Sequence, residues 1–335
     1  NDTNLSRLTL PCSPTALKKK LRSMQRLSGI LLNKWRTSGY VDFSTNEAEL
    51  TLDDQGVPVQ LGVKRSLETH KLIESFMLQA NKTVAGHIEK IRKKSSKRVP
   101  FIFRVHEKPE HEKLEELTRL ARILGHDKRL KKKVTPKEFS TFLHSVRELP
   151  HNHIIEQVAL RSMMKAIYST DNIGHFGLGF SHYTHFTSPI RRYPDLTVHR
   201  LLKHYTGCNE YTSIPGKSLS RTASHCTEQE ITSQQVEREA IRAKQARYMK
   251  KRLGDVFSGV ISGVTSFGIF VELEEMLVEG LVHISDLDDD YYIFEEKNYR
   301  LIGERYGRIF RLGQTLEVRV APVMIKERRI DFVPV

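Results

Sequence analysis

Three things are scarce in this chain: long apolar runs, cysteine and acidic charge. No window approaches the ~18 consecutive apolar residues that a membrane-spanning helix requires, and no leader with a basic start and a short apolar core opens the sequence. Cys12, Cys208 and Cys226 are odd in number and lack ligand-like spacing. They supply neither a disulfide framework nor a zinc knuckle, and they fit a reducing, cytoplasmic setting. The chain opens on Asn1 without a methionine, which reads as a processed, excised or truncated product. Against 54 Lys and Arg there are 40 Asp and Glu, a net charge of +14 over 335 residues. Such an excess calls for a polyanionic partner. It gathers in Lys18–Lys20, Lys90–Lys94 with Lys97 and Arg98, Lys128–Lys133, and Arg247–Arg252. Each run alone reads as a solvated helix end or loop. Together, and without an aromatic insertion face on any basic helix, they favour nucleic acid over a membrane surface.

What is present is concentrated in Ser181–Leu202. Ser188 has the chemistry of an N-cap and Pro189 that of a first helical residue. The pattern therefore predicts a helix over Ile190–Leu202, kinked at Pro194, with Arg191 and Arg192 in its first turn. Arginine is unfavourable at the positive end of a helix dipole. A phosphate gripped by a guanidinium fork would justify the pair, while two solvated surface charges remain an equal alternative on this segment alone.

The run Thr187-Ser-Pro-Ile-Arg-Arg-Tyr-Pro-Asp195 resembles the signature of the RNB catalytic domain of the ribonuclease II and ribonuclease R exoribonucleases. Arg161–Tyr168, Gly174–Leu178 and His70–Met77 followed by Ala80-Asn81 are similar to the same family. The likeness is closest to ribonuclease R and is looser before Gly39 and between Thr206 and Thr232.

Periodicity predicts a first helix from Pro14 to Gly39 with Leu17, Leu21, Met24, Leu27, Leu31 and Trp35 inward. A hairpin follows across Asp53–Gly56. A second helix has Leu72, Ile73, Phe76, Met77, Ala80, Val84 and Ile88 as its apolar stripe. Helices are also expected over Glu110–Leu124, Pro136–Arg147 and Ile154–Tyr168, then a buried strand over Gly174–Phe180 and a long charged helix over Ser218–Arg252. From Gly254 the pattern alternates with a β-period, and glycines stand where a barrel strand bends. This stretch, with Gly280–Ser285, resembles the OB-fold RNA-binding domain of the ribosomal-protein-S-one type. The expected architecture is a partial α+β RNB domain over residues 1–251 and an all-β OB barrel over 252–335, removable after Arg252 without unfolding the rest.

By spacing, His70, Glu74 and Asn81 share one helix face, which composition alone would leave to solvent. The RNB resemblance implies more. It places Glu74 on a sugar hydroxyl near the 3′ end and Arg191 at the scissile phosphate. It puts Phe43 against the terminal bases and, more loosely, Glu237 near the RNA channel; Arg192 and Tyr193 belong to the same RNA-contacting signature. In the barrel, Phe267, Phe270 and His283 match positions that stack bases, with Arg319 as a phosphate partner. Barrel core remains the alternative for Phe270. The implied activity is hydrolytic, processive 3′→5′ release of nucleoside 5′-monophosphates from single-stranded RNA. The resemblance also implies Mg²⁺ held by aspartates, but that cluster lies upstream of every matched segment and is expected to be absent here. Asp53–Asp54 falls in a turn, and Asp286 with Asp288–Asp290 in the barrel region. No membrane and no cofactor nucleotide is expected as a partner, and a monomer is favoured. His182, His185 and His199 lack the spacing of a zinc site, and His151–His153 lacks the context of a nuclease motif. The alternative function is a non-catalytic single-stranded RNA-binding protein of the same descent.

Overall fold

In a computed structural model, residues 14–41, 47–64, 67–96, 99–147, 152–207 and 215–335 are described. Helices α1 (Pro14–Ser38) and α2 (Glu68–Lys94) flank a hairpin of β1 (Glu47–Leu52) and β2 (Pro58–Lys64). Asp53 closes the hairpin turn by accepting from the Gln55 and Val57 N–H groups at 3.0 and 2.7 Å, as an Asx turn does. Next come β3 (Phe103–Val105), α3 (His111–Ile123), α4 (Pro136–Val146), α5 (Asn152–Ser162) and β4 (Ile167–Ser169). The helix expected to reach Tyr168 stops at Ser162, because the Ile167–Ser169 segment pairs antiparallel with β3 instead. The expected strand over Gly174–Phe180 is a short 3-10 turn at Phe176–Leu178. Gly174 and Gly179 have positive φ there, at 81° and 63°. That conformation suits glycine and breaks a ladder. Helices α6 (Tyr193–Tyr205) and α7 (Gly216–Lys250) complete the first part.

Two expected helix stripes are displaced. On α1, Leu21 and Leu27 are exposed, while Trp35 and Ser28 are buried. On α2, the buried line is Ser75, Leu78, Asn81, Ala85 and Ile88, and Ile73 is exposed. Apolar periodicity misses this line because two of its members are polar and each has a partner. Ser75 Oγ donates to Ser28 Oγ of α1 at 2.9 Å. A buried polar group with a bond in place carries little penalty.

The C-terminal strands β5 (Val256–Thr265), β6 (Gly268–Leu273), β7 (Val278–His283), β11 (Thr315–Met324) and β12 (Arg329–Pro334) close a barrel in the order β11-β12-β7-β6-β5. Between β7 and β11 is a three-stranded sheet of β8 (Tyr292–Glu295), β9 (Arg300–Gly303) and β10 (Ile309–Arg311). The α+β region followed by a β barrel is the expected fold class. The barrel is packed onto the first part, however. Its apolar core includes Leu61 of β2 and Ala246 and Met249 of α7, besides Ile261, Val271 and Phe332. Gln245 also donates to the Leu277 carbonyl at 2.9 Å. Cutting after Arg252 would bare those side chains of the first part.

Candidate RNA-contacting site

The signature segment folds differently from its predicted helix. Ser188–Arg192 is a turn in which the Arg191 and Arg192 N–H groups donate to the Ser188 carbonyl at 3.3 and 3.0 Å. Helix α6 starts at Tyr193, with Arg192 as its N-cap in an extended conformation. Pro194 therefore lies in the first turn, where its missing N–H is no loss, instead of kinking an earlier helix. Asp195 organises the turn. It is fully buried, and its Oδ1 accepts from the Ser188 N–H and from Arg192 Nη2, both at 2.8 Å. The two arginines are thus parted: Arg192 is drawn inward to Asp195, while Arg191 is exposed beside the fully exposed Ile190 and the exposed Tyr193. Thr187 Oγ1, Arg192 Nε and Asp195 Oδ2, all within nine residues, are buried without a hydrogen-bond partner. Buried polar atoms rarely go unmatched, so this turn concentrates polar groups that the protein itself does not pair.

The segment leading into the turn is held on all sides. Asn81 of α2 donates to the Tyr183 hydroxyl at 3.0 Å and accepts from the Phe186 N–H at 2.9 Å. His199 of α6 stacks on Phe186 with centroids 4.0 Å apart and pairs with the Phe186 carbonyl at 2.9 Å. His185 shares a 2.8 Å bond with the Tyr168 hydroxyl. Arg104 lies over the Tyr168 ring and bonds Glu230 of α7 through both terminal nitrogens, at 2.5 and 3.0 Å. Burial, then the charges of Arg192 and Arg104, pushes His185 down to about 2. Burial, with His106 next, pushes His175 down to about 3. Both imidazoles are neutral, which suits a cationic neighbourhood. His182 is bonded to Asn172 at 2.7 Å, so His182, His185 and His199 each have a separate protein partner.

Glu74 is exposed on α2. Its position continues the buried line of Leu78, Asn81, Ala85 and Ile88 one turn beyond the point where the core ends. It lies at the exposed end of that line, about 10 Å along the axis from Asn81. Asn81 shares its face as expected, but as a buried clamp of the signature segment. Phe43 lies outside the described residues.

On the barrel, β6 points Ile269, Val271 and Leu273 inward and Phe270 and Glu272 outward. Phe270 is therefore not core. Phe267, 46% exposed in the turn before β6, meets it edge to face at 6.0 Å. Gly268 makes that turn at φ 150°, where a Cβ would strike the Val282 carbonyl oxygen at 2.2 Å. His283 pairs across from Gly268 and is exposed. Arg319 pairs with Val333 of β12, and β12 runs beside β7 with Asp331 opposite Leu281. One strand thus separates Arg319 from His283, about 10 Å. The four expected barrel residues share one outer surface.

Phe270 also lines two clefts. One, of about 440 Å³, lies against α3 and α5 and includes Lys113 and Arg161. The other, of about 940 Å³, lies between the barrel, α5 and α7 and brings Glu237 to the same wall system as Phe270. Its barrel side carries Glu272, Glu274 and Glu279. Burial, then Glu279 and Glu274, raises the Glu272 pKa above the usual carboxylate range. The signals that sequence reading missed were Asp195, read only as part of a motif, and this carboxylate wall.

Residues 3–207 match the RNB domain and residues 250–333 the S1 RNA binding domain. The chain is 41% identical over 333 residues to ribonuclease R of Aquifex aeolicus, covering 97% of this chain and 46% of that protein. It is 35% identical to ribonuclease R of Escherichia coli, covering 94% and 39%. Mycoplasma genitalium RNase R in complex with ribose-methylated single-stranded RNA superposes with a TM-score of 0.90 at 29% identity. That match covers 100% of this chain and 52% of the other. The chain thus spans less than half the length of these two curated relatives.

Proposed function

Because this chain belongs to the RNB domain family, with an S1 RNA binding domain behind it, we propose that it is the strand-gripping portion of a 3′→5′ exoribonuclease. The parent activity is hydrolytic release of nucleoside 5′-monophosphates from single-stranded RNA in the cytoplasm. One observation carries the reading: the Arg192–Asp195 pair and the Ser188 turn present Arg191 outward on a rigid support. A guanidinium so placed fixes a phosphate in line for attack and offsets charge on its oxygens as the bond breaks. Glu74 takes the sugar hydroxyl, Phe43 the terminal bases, and Phe267, Phe270, His283 and Arg319 the incoming strand.

Magnesium, with its demand for several hard oxygen ligands, is the metal this chemistry implies. The described residues do not fit it. Among the described residues no three His, Cys, Asp or Glu side chains converge to hold a metal. Asp195 is sealed in the protein, with one oxygen committed to Arg192 and Ser188. The metal-binding aspartates are assigned to sequence outside these 335 residues. The same observation supports a second reading, in which this chain by itself is a single-stranded RNA-binding module. Incubation of a clean preparation with 3′-labelled RNA and Mg²⁺ tests the assignment. Binding without nucleotide release is expected, and release would overturn the placement of the metal ligands. Joining the chain to an upstream aspartate-bearing segment should restore release; failure to do so favours the binding module.

A further inference from the structure

The side of α2 turned away from Glu74 and Asn81 carries a second concave feature. A groove of about 370 Å³ runs between α1 and α2, lined by Lys34 of α1 and by Gln79, Lys82, Thr83, His87 and Lys90 of α2. These α2 positions form one helix face, about 140° around the axis from the line of 74, 78, 81, 85 and 88. No Asp or Glu lines the groove. Among the described residues, Lys34, Lys82 and Lys90 have no carboxylate partner. Lys82 is held in place by its contact with the Phe180 ring, 4.2 Å from ammonium to centroid. Burial, and then the neighbouring Lys34 charge, lowers its pKa. Surface lysines are long and mobile and ordinarily swing apart. Here Lys82 is fixed by its ring contact, and Lys34 and Lys90 line the same concave floor beside neutral donors and His87, so like charges face one groove. An anion relieves that repulsion. The floor has room for one, since a Cβ added at Gly86 would meet nothing within 4 Å. Helix α1 adds to the local field: it carries Lys18, Lys19, Lys20, Arg22, Arg26, Lys34 and Arg36 and no acidic residue.

We propose that this groove binds a phosphate group, supplied by the backbone of an RNA strand passing outside the catalytic surface. The RNA source rests on the function proposed above; the phosphate site does not. Trp35, the chain's single tryptophan, lines the groove and is a built-in reporter. The 335-residue chain is titrated with inorganic phosphate, a nucleoside 5′-monophosphate and a single-stranded RNA oligomer. Trp35 emission is followed, and RNA affinity is measured across a range of KCl. Lys34→Ala and Lys82→Ala should each weaken the phosphate response about tenfold or more, as loss of a charge-assisted hydrogen bond does. Gly86→Glu, whose Cβ enters open space in the groove, should abolish the response and leave the melting temperature unchanged or raised. For RNA, the double lysine variant should flatten the slope of log K against log salt by about 0.7, the share of one phosphate on a single strand. Lys326→Ala, an exposed charge on the barrel, controls for net charge. A slope unchanged while mononucleotide affinity falls would keep the site and assign its phosphate to the mononucleotide. A wild-type chain that binds phosphate but no RNA would sink the RNA reading alone. The groove is overturned if Trp35 is silent to every phosphate ligand, or if its variants do no more than Lys326→Ala.

Discussion

Arg191 and Arg192 are adjacent in sequence and opposite in circumstance, so replacing them one at a time separates support from chemistry. Arg192→Ala strands the Asp195 carboxylate, which is fully buried and keeps only the Ser188 N–H. Breaking one side of a buried ion pair costs about 3–5 kcal/mol. The Arg192 side chain retains 23% exposure, which places the cost at about 3 kcal/mol, near the low end of that range. In a unit of 150–250 residues that is a fall of about 6–12 °C in Tm. Arg191→Ala removes an exposed side chain and should move stability by less than about 0.5 kcal/mol. Its effect belongs to turnover. In a protein completed with the upstream segment, Arg191→Lys keeps the charge but not the fork, and single-turnover release should fall about a hundredfold with RNA affinity little changed. Thermal melts of the chain and single-turnover degradation of a labelled RNA give the two readouts. If Arg191→Ala melts as early as Arg192→Ala, or if the two variants lose turnover equally, the division of labour drawn from the Asp195 turn is wrong.

Acid should weaken the fold through His175 and His185. Their folded pKa values lie near 3 and 2, below the ordinary value near 6.5. The unfolded chain therefore takes up protons first, so stability is full above about pH 6.5 and falls by up to about 1.4 kcal/mol per unit per histidine below it. Melting curves between pH 7.5 and 5 should show that slope, and His185→Gln should flatten it; a parallel slope in the variant would exclude His185 as its source. Phe267→Ala should weaken single-stranded RNA binding by about 1–3 kcal/mol, at unchanged Tm, because the ring is half exposed; fluorescence anisotropy at fixed salt checks both directions. Glu272→Gln should tighten RNA binding at low salt by removing a charge from the cleft wall, and weaker binding would mean that the strand uses this carboxylate.

The fold class and the barrel were legible because their signals are local: alternation, bend glycines and a turn aspartate. The hairpin was legible for the same reason, through Asp53 and Gly56. The inward face of α2 was not, because Ser75 and Asn81 are buried by bonds to Ser28, Tyr183 and Phe186, and a partner distant in sequence leaves no trace in periodicity. The end of α5 was misplaced because Ile167–Ser169 obeys its pairing with β3, a tertiary demand that overrides helical spacing. In the signature, the prolines were seen but assigned the wrong roles. Ser188 looked like the cap, yet Asp195, seven residues on, reaches back and sets where the helix begins. The same misreading put both arginines on one helical turn, which concealed that only Arg191 faces outward.

The geometry at the junction of the two parts also constrains how a strand could lie. The α5–α7 cleft presents Glu272, Glu274 and Glu279 on its barrel wall beside Arg328 and Arg329; those arginines are already paired with Glu239 and Asp331, so the carboxylates disfavour a phosphate backbone there. On the proposed reading the phosphates lie away from that wall, toward Lys113 and Arg161 in the smaller cleft, which Glu116 and Glu279 also line, and on the outer surface of Phe267, His283 and Arg319. Phe270 stands at the meeting point of both clefts and offers a ring rather than a charge, which suits a base passing from one environment to the other. Because β2 and the end of α7 help to build the barrel core, that arrangement is fixed by packing rather than by a flexible linker. The barrel's stacking surface is thus anchored through packing to the part that carries the Arg191 turn, so on the proposed reading a strand gripped by the barrel is held at a set position relative to that turn.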